Sequence, residues 1–129
     1  MLAAEYRWGE ENLETTILGT IYKSKGKPEA YYFMANYRFK EWFELGTYYS
    51  VDYEDRDDKD GDGYVLSGQP KEKAWLKDWA VSTRFDINMS WIVKLEAHFM
   101  DGLKNVDYGT DTSPSGTWQM YASKLTYIF

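Results

Sequence analysis

Apolar and polar residues alternate along most of the chain with a period of two. In residues 30–39, for example, Tyr31, Phe33 and Ala35 share one face, whereas Tyr32 and Met34 lie on the other. Successive side chains of a β-strand point to opposite faces, so this period predicts strands rather than helices. Six such runs occur, near residues 2–10, 30–39, 42–54, 78–87, 90–102 and 118–129.

The connections between these runs alternate between long and short. Long loops are predicted at 11–29, 55–77 and 103–117, and tight turns join the second strand to the third and the fourth to the fifth. A few residues between two alternating runs predict an antiparallel hairpin. Residues 13–22 contain Thr, Ile and Leu in a less regular phase, so we expect a loop with some strand at its edges. The sequence therefore predicts one all-β unit over 1–129, an antiparallel up-and-down meander of about six strands.

Aromatic residues mark both ends of the strands on the apolar face. Phe39 and Phe85 precede the short turns, and Trp42 and Trp91 follow them. The opposite strand ends carry Tyr6, Trp8, Tyr49, Tyr53, Trp79 and Phe99. Smaller residues lie between, with Val81 and Val93 expected near the middle. Two aromatic girdles around an apolar band, with short turns on one side and long loops on the other, are typical of a transmembrane β-barrel.

The last strand ends on its apolar face with Leu125, Tyr127 and Phe129 at alternate positions. Most globular chains end in polar, poorly ordered residues. A terminal Phe preceded by this alternation resembles the closing strand of bacterial outer-membrane barrels, where the pattern serves as the assembly signal. The resemblance implies that these three residues are recognised by the barrel-assembly machinery. An ordinary core strand that ends a domain would show the same alternation.

Composition narrows the class of protein. The chain has 12 Tyr, 6 Trp and no Cys, which excludes a disulfide scaffold and thiolate metal sites. It has no run of 18 apolar residues, so no transmembrane helix is expected. The mean hydropathy of -0.64 resembles that of a soluble protein, but strand alternation hides an apolar face in such an average. The net charge of -6 argues against a nucleic-acid partner.

The second face of the predicted strands mixes acids and bases with neutral polar residues. Such a face suits a water-filled lumen, and it also suits the solvated outer surface of a soluble barrel. In the first case we expect pore-lining positions at Arg38, Glu44, Arg84, Asp86, Lys94, Glu96, His98 and Lys124. His98 is the single histidine, and no Ser stands out beside it as a nucleophile. We therefore predict no catalytic residues and no enzyme.

The loop at 55–77 contains a partial calcium-binding pattern. Asp58, Asp60 and Asp62, followed by Gly63, match the first half of an EF-hand loop, and the carbonyl of Tyr64 would occupy position seven. Position twelve is Gln69 rather than the bidentate Glu, so calcium would bind weakly. The alternative is an acidic, solvated loop. No other cofactor is expected.

Several segments of residues 30–129 resemble the carboxy-terminal part of bacterial porin-like proteins. They are Y-R-F at 37–39, G-T-Y-Y-S-V-D-Y at 46–53, R-F-D-I-N at 84–88 and W-I-V-K-L-E-A-H-F-M-D-G at 91–102. They are similar to the phosphate-selective porin group and to porins of unassigned solute. The resemblance implies passive diffusion of small hydrophilic solutes or ions. A basic ladder binds the anion in phosphate-selective channels, whereas acids interrupt the bases here.

Six strands are fewer than the eight of the smallest usual closed transmembrane barrel. An open sheet would leave unpaired backbone groups in lipid. Since the first residues also lack a signal-peptide pattern, we expect the chain to be part of a longer precursor with a signal peptide, located in the bacterial outer membrane in contact with its lipid. Assembly with copies of itself is the other way to complete a barrel. The competing class is a soluble β-barrel that binds a small apolar ligand.

Overall fold

The computed structural model describes residues 1–17, 20–107, 109 and 114–129. Residues 18, 19, 108 and 110–113, which belong to the predicted loops 11–29 and 103–117, lie outside the described residues. The strands are β1 (Leu2–Trp8), β2 (Glu11–Ile17), β3 (Thr20–Gly26), β4 (Glu29–Lys40), β5 (Phe43–Tyr53), β6 (Trp75–Asp86), β7 (Trp91–Gly102) and β8 (Thr117–Tyr127). A short helix, α1 (Asp62–Leu66), and a 3-10 helix (Lys71–Ala74) precede β6.

Six strands form one antiparallel sheet in the order β1-β4-β5-β6-β7-β8. This confirms the predicted all-β antiparallel meander. The structure differs at residues 11–29, where we expected a long loop: β2 and β3 pair as a separate two-stranded hairpin, from Glu11 opposite Gly26 to Ile17 opposite Thr20. Strict alternation is imposed where one face of a strand is buried. A hairpin outside the main sheet lacks that constraint, which explains its irregular phase.

The pairing register assigns each residue to one of the two faces. The central row of the apolar face runs through Leu2, Ala35, Thr47, Val81, Ala97 and Tyr121. The next row, on the opposite face, runs through Ala3, Met34, Tyr48, Ala80, His98 and Met120. Val81 therefore lies at mid-strand as predicted. Val93 does not, because it pairs with Phe85 and Leu125 nearer the short turns.

The sheet has almost no buried core. Among the described residues, the buried hydrophobic residues are Val51, Ala74, Ala80 and Leu103. Large apolar side chains on the strands remain exposed, including Phe33, Tyr37, Trp79, Leu95 and Leu125. A soluble domain buries its apolar faces between two packed layers of secondary structure. This sheet is a single layer whose apolar face has no covering layer in the described chain.

The polar face is better covered than the apolar face. Asp78 and Ala80 are 9% and 6% exposed, whereas their strand neighbour Trp79 on the apolar face is 50% exposed. Gly46 is buried, and Tyr49 on the apolar face is 40% exposed. Over most of the described sheet, the side chains of the apolar face are therefore more exposed than those of the polar face.

The long-loop end is held by a buried lysine. Lys104 is 8% exposed, and its Nζ donates a hydrogen bond to Asp52 Oδ1 at 2.6 Å and to the Tyr53 carbonyl at 3.3 Å. Its Nζ also lies 3.5 Å from Glu54 Oε2. The amide of Leu103 donates to the Glu72 carbonyl at 2.7 Å. The connection from β5 to β6 is therefore fastened to the segment that follows β7.

Candidate functional site

The eight predicted pore-lining residues all lie on the polar face. Five of them form one row across the sheet: Arg38, Glu44, Arg84, Lys94 and Lys124. The remaining three lie further along β6 and β7: Asp86 nearer the short turns, and Glu96 and His98 nearer the long loops. The register thus brings together residues that are up to 86 positions apart in the sequence.

Two arginines and two acids of this set neutralise one another. Arg38 Nη1 lies 3.0 Å from Asp86 Oδ2, and Arg38 Nε lies 3.3 Å from Glu44 Oε2. Arg84 Nε donates to Asp86 Oδ1 at 2.7 Å. Single exposed ion pairs contribute little free energy, but a network of several charges fixes the geometry of its members. These four side chains therefore form a compensated cluster beside the short turns.

Lys94 and Lys124 are directly opposite each other on β7 and β8. Neither lysine has an ion pair within the part of the chain that the structure describes. Like charges at opposite positions of an antiparallel pair are mutually unfavourable. The uncompensated positive charge of the row therefore lies next to β8, at one edge of the described sheet.

His98 is fixed by a carboxylate that sequence reasoning missed. Its Nδ1 lies 2.9 and 3.1 Å from the two oxygens of Asp78, and its Nε2 lies 3.7 Å from Glu96 Oε2. Asp78 is the first residue of the predicted fourth strand, 78–87, and in the observed register it lies diagonally across from His98. Over the described residues, no group of three or more His, Asp or Glu side chains is arranged to hold a metal ion.

Two depressions lie side by side on the polar face, with volumes of about 260 and 420 Å³. Tyr48 contributes to the walls of both. Gly46 forms part of the first, and a Cβ atom added there would lie 2.6 Å from both Asn36 Oδ1 and Ser82 Oγ. Position 46 therefore has no space for a side chain, because the side chains of Asn36 and Ser82 pack over it.

Two of the predicted calcium ligands, Asp58 and the Tyr64 carbonyl, accept hydrogen bonds within their own loop. The carboxylate of Asp58 accepts hydrogen bonds from the amides of Asp62 and Gly63, at 2.8 and 3.0 Å, and so holds the start of α1. The Tyr64 carbonyl accepts from the amides of Ser67 and Gln69, at 3.1 and 2.9 Å. With Asp60, these residues do not form a ligand cluster in the described chain.

The acidic loop is also tied to the β1–β4 side of the sheet. Lys59 pairs with Glu29, and Arg56 Nη2 lies 3.3 Å from Glu10 Oε1. Lys27 pairs with Asp57. The hydrogen bond from Lys27 lowers the pKa of the Asp57 carboxyl, and the same bond raises the pKa of Lys27. These ion pairs therefore hold the acidic loop against the β1–β4 side of the sheet.

Leu125 and Tyr127 of the predicted assembly signal lie on the apolar face of β8, and Phe129 lies two residues beyond the end of that strand. Leu125 is opposite Val93, and Tyr127 is opposite Trp91, with 4.8 Å between the centroids of the two rings. The Phe129 ring lies 6.3 Å from the Tyr127 ring and is fully exposed. The strand end thus presents apolar side chains that the described chain does not cover.

One polar pair in the middle of the apolar face is satisfied within the sheet. Trp79 Nε1 donates to Thr47 Oγ1 at 3.0 Å, and Thr47 Oγ1 donates to the Ala80 carbonyl at 3.1 Å. A polar group that faces a medium without water needs such an internal partner. The pair therefore leaves this part of the face suitable for a non-aqueous surrounding.

Comparisons of the chain with protein-family models, with curated proteins and with solved structures find no match. Of the helices in the described residues, none has the length and apolar character needed to span a membrane. The case for a function therefore rests on the two faces of the sheet and on the groups they carry.

Proposed function

We propose that this chain forms part of the wall of an outer-membrane pore through which small hydrophilic solutes or ions diffuse passively, and that it is not an enzyme. The observation that carries the proposal is that the polar face of the sheet is less exposed than the apolar face, the opposite of what a soluble protein shows. Charged and polar side chains occupy the less exposed face, and most of the large apolar and aromatic side chains occupy the more exposed face. This is the arrangement of a barrel whose outside meets lipid and whose inside meets water.

The exposed apolar face supplies the free energy for insertion. Transfer of one large apolar side chain out of water contributes roughly 1.5–3 kcal/mol. Phe33, Tyr37, Trp42, Leu95 and Leu125 are all at least 47% exposed on this surface or its rim. Outer-membrane lipid is thus the first partner that we assign to the chain. No such gain is available to a sheet that remains in water with this face open.

The two edges of the sheet require further partners. β1 and β8 are its outer strands, and unpaired strand edges are not tolerated in lipid. Further strands of a longer chain or further copies of this one would complete the barrel. We assign Leu125, Tyr127 and Phe129 to recognition by the barrel-assembly machinery. These assignments are in keeping with the resemblance to porin-like proteins and locate the chain in the bacterial outer membrane.

Fractionation and conductance of the protein from the complete gene test this proposal. We expect the protein in the outer-membrane fraction of a Gram-negative host, extractable with detergent but not with alkaline carbonate. Purified protein should then produce stepwise conductance in a planar lipid bilayer. Recovery in the soluble fraction without detergent would contradict the location in the outer membrane. A membrane protein that produces no conductance would contradict the pore.

A soluble barrel that binds a small apolar ligand is the second candidate. Two depressions on the apolar face favour it, with volumes of about 450 and 640 Å³. Leu2 and Trp79 contribute to both depressions, and Phe33 and Phe39 each contribute to one. In this case the apolar face would turn inward. The same fractionation distinguishes the candidates, because a soluble ligand binder needs no detergent.

A further inference from the structure

We propose that the polar face carries a subsite for a neutral, hydroxyl-rich solute, a mono- or oligosaccharide, centred on Tyr48. The inference deepens the proposed function and rests on it, since a solute would reach this face through the pore. It depends on three features of the face: its compensated charges, its free neutral polar groups and a pair of tyrosine rings.

The charges nearest Tyr48 are largely compensated by one another. Arg84 is paired with Asp86, and His98 is paired with Asp78. Lys94, Glu5 and Arg7 also line the depressions without an ion pair in the described chain, and their charges are of both signs. The depressions beside Tyr48 therefore offer a solute little net charge.

Neutral polar groups beside Tyr48 are free to bind a solute. The side chains of Asn36, Ser50 and Ser82 and the hydroxyl groups of Tyr32 and Tyr48 have no hydrogen-bond partner in the described chain. Amides and hydroxyls both donate and accept hydrogen bonds, as sugar hydroxyls do. Five such groups along the walls of two adjacent depressions match a ligand that carries many hydroxyls and no charge.

Tyr32 and Tyr48 add an apolar surface to these polar groups. Their ring centroids are 5.8 Å apart, with an angle of 36° between the ring planes. Both rings lie on the polar face, whereas the girdle aromatics lie on the apolar face. A pyranose ring has apolar C–H faces and hydroxyls around its edge. Aromatic faces bordered by amides and hydroxyls are complementary to both parts of such a ring.

The shape of the site favours more than one sugar unit. The two depressions share Tyr48, and together their volumes fall within the range of small-molecule pockets, about 300–1,000 Å³. Asn36 and Ser82 pack over Gly46, and any side chain at position 46 would displace both of these polar groups. We therefore expect a disaccharide or trisaccharide to span Tyr48, with one unit in each depression.

The test uses the protein from the complete gene with maltotriose as the probe. Two independent measurements are made: block of the single-channel current, and saturation-transfer NMR of maltotriose with the protein in detergent, which does not require an open channel. We expect binding to weaken by about tenfold or more in Tyr48→Ala and in Gly46→Val. Tyr49→Ala changes the adjacent residue on the opposite face and should leave binding unchanged. Tyr48→Phe, which keeps the ring, should weaken binding less than Tyr48→Ala does.

The outcomes separate the subsite from the pore. Open wild-type channels that maltotriose neither blocks nor contacts would overturn the subsite and leave the pore intact. Maltotriose binding in detergent that is lost in Tyr48→Ala, without any conductance, would support the subsite and overturn the pore. Binding that Tyr48→Ala and Gly46→Val both leave unchanged would overturn the subsite. Block by phosphate or glycine, with none by maltotriose, would also overturn it.

Discussion

At the scale of single residues, neighbouring positions on one strand should tolerate charge very differently. Val81 lies in the central row of the apolar face, and Ser82 lies on the polar face. An Arg or Lys that faces lipid at the bilayer midplane costs roughly 2–4 kcal/mol. We therefore expect Val81→Arg to block stable insertion of the complete barrel, and Ser82→Arg to insert normally. Outer-membrane yield and heat resistance in detergent measure the difference.

The same pair of substitutions tests the assignment of the faces. If Val81→Arg and Ser82→Arg reach the outer membrane in equal amounts and resist heat equally, the apolar face does not meet lipid. Lys94→Glu provides a further control on the neighbouring strand. It should insert normally and change only the ion selectivity, because the polar face already carries charges of both signs.

The hydrogen bond between Trp79 and Thr47 should contribute to the stability of the assembled barrel. Trp79→Phe removes the indole donor, while Thr47 keeps its bond to the Ala80 carbonyl. No buried group is orphaned, so we expect a loss of about 0.5–1.5 kcal/mol in the free energy of unfolding. Urea unfolding in lipid vesicles measures this loss. Trp42→Phe is the matched control, because Trp42 is exposed to a similar extent as Trp79. An equal loss in Trp42→Phe would show that the hydrogen bond contributes nothing specific.

At the scale of elements, Lys104 should decide whether the β5–β6 connection stays in place. Lys104→Met removes the hydrogen bonds to Asp52 and to the Tyr53 carbonyl and leaves two acids near an apolar side chain. A hydrogen bond to a charged group contributes roughly 1.5–3 kcal/mol to stability. Because Asp52 is partly exposed, we expect Lys104 to stabilise the closed position of the connection by about 1–2 kcal/mol. We expect faster proteolysis between β5 and β6. The barrel itself should melt at an unchanged temperature.

Lys71→Met is the control for that experiment, because Lys71 belongs to the same connection but is exposed. Equal cleavage rates in both variants would show that Lys104 does not hold the connection. A lower melting temperature in Lys104→Met would instead indicate that the connection supports the whole sheet.

The contact between Lys27 and Asp57 should depend on pH. The pKa of Asp57 is lowered by its hydrogen bond to Lys27, so its contribution is present above the unfolded-state pKa of the carboxyl and is lost as pH falls through the lower folded-state value. The adjacent Arg56 amide donates to the Lys27 carbonyl at 2.8 Å and reports on the contact. Its NMR shift should titrate in the acid range in the wild type and stay constant in Asp57→Asn. A titration that persists in Asp57→Asn would assign the effect to another group.

The sequence predicted which face of the main sheet each strand residue lies on. Alternation placed Val81, Ser82 and His98 on the correct faces, because a strand has only two faces and the period is two. It did not reveal the β2–β3 hairpin, whose faces are not constrained by the main sheet. It also missed the Asp78–His98 pair and the capping role of Asp58. Both depend on where side chains end in space, which the spacing along one strand does not specify.

At the scale of the whole molecule, the main sheet is a single layer whose apolar face and outer strands, β1 and β8, are uncovered in the described chain. Most charges on its polar face are paired. At the long-loop end, Lys104 and the ion pairs of the acidic loop hold the connections in place. The apolar surface and the outer strands are therefore the parts without a partner in the described chain. In the proposed pore, lipid covers the apolar surface and further strands pair with β1 and β8, which accounts for the small core of the described chain.

The end of β8 offers the sharpest test of assembly, because Phe129 is 108% exposed and contributes little to the packing of the described chain. If the pattern Leu125, Tyr127 and Phe129 is recognised during assembly, Phe129→Ala should reduce the rate at which the complete protein reaches the outer membrane. The fraction that does assemble should unfold at the wild-type temperature. Ile128→Ala, next to it and half-exposed, should have normal kinetics. Pulse-chase labelling with a heat-modifiability assay measures both quantities. Normal delivery of Phe129→Ala would show that the terminal aromatic is not a recognition signal, and slow delivery with a lowered melting temperature would assign its role to stability.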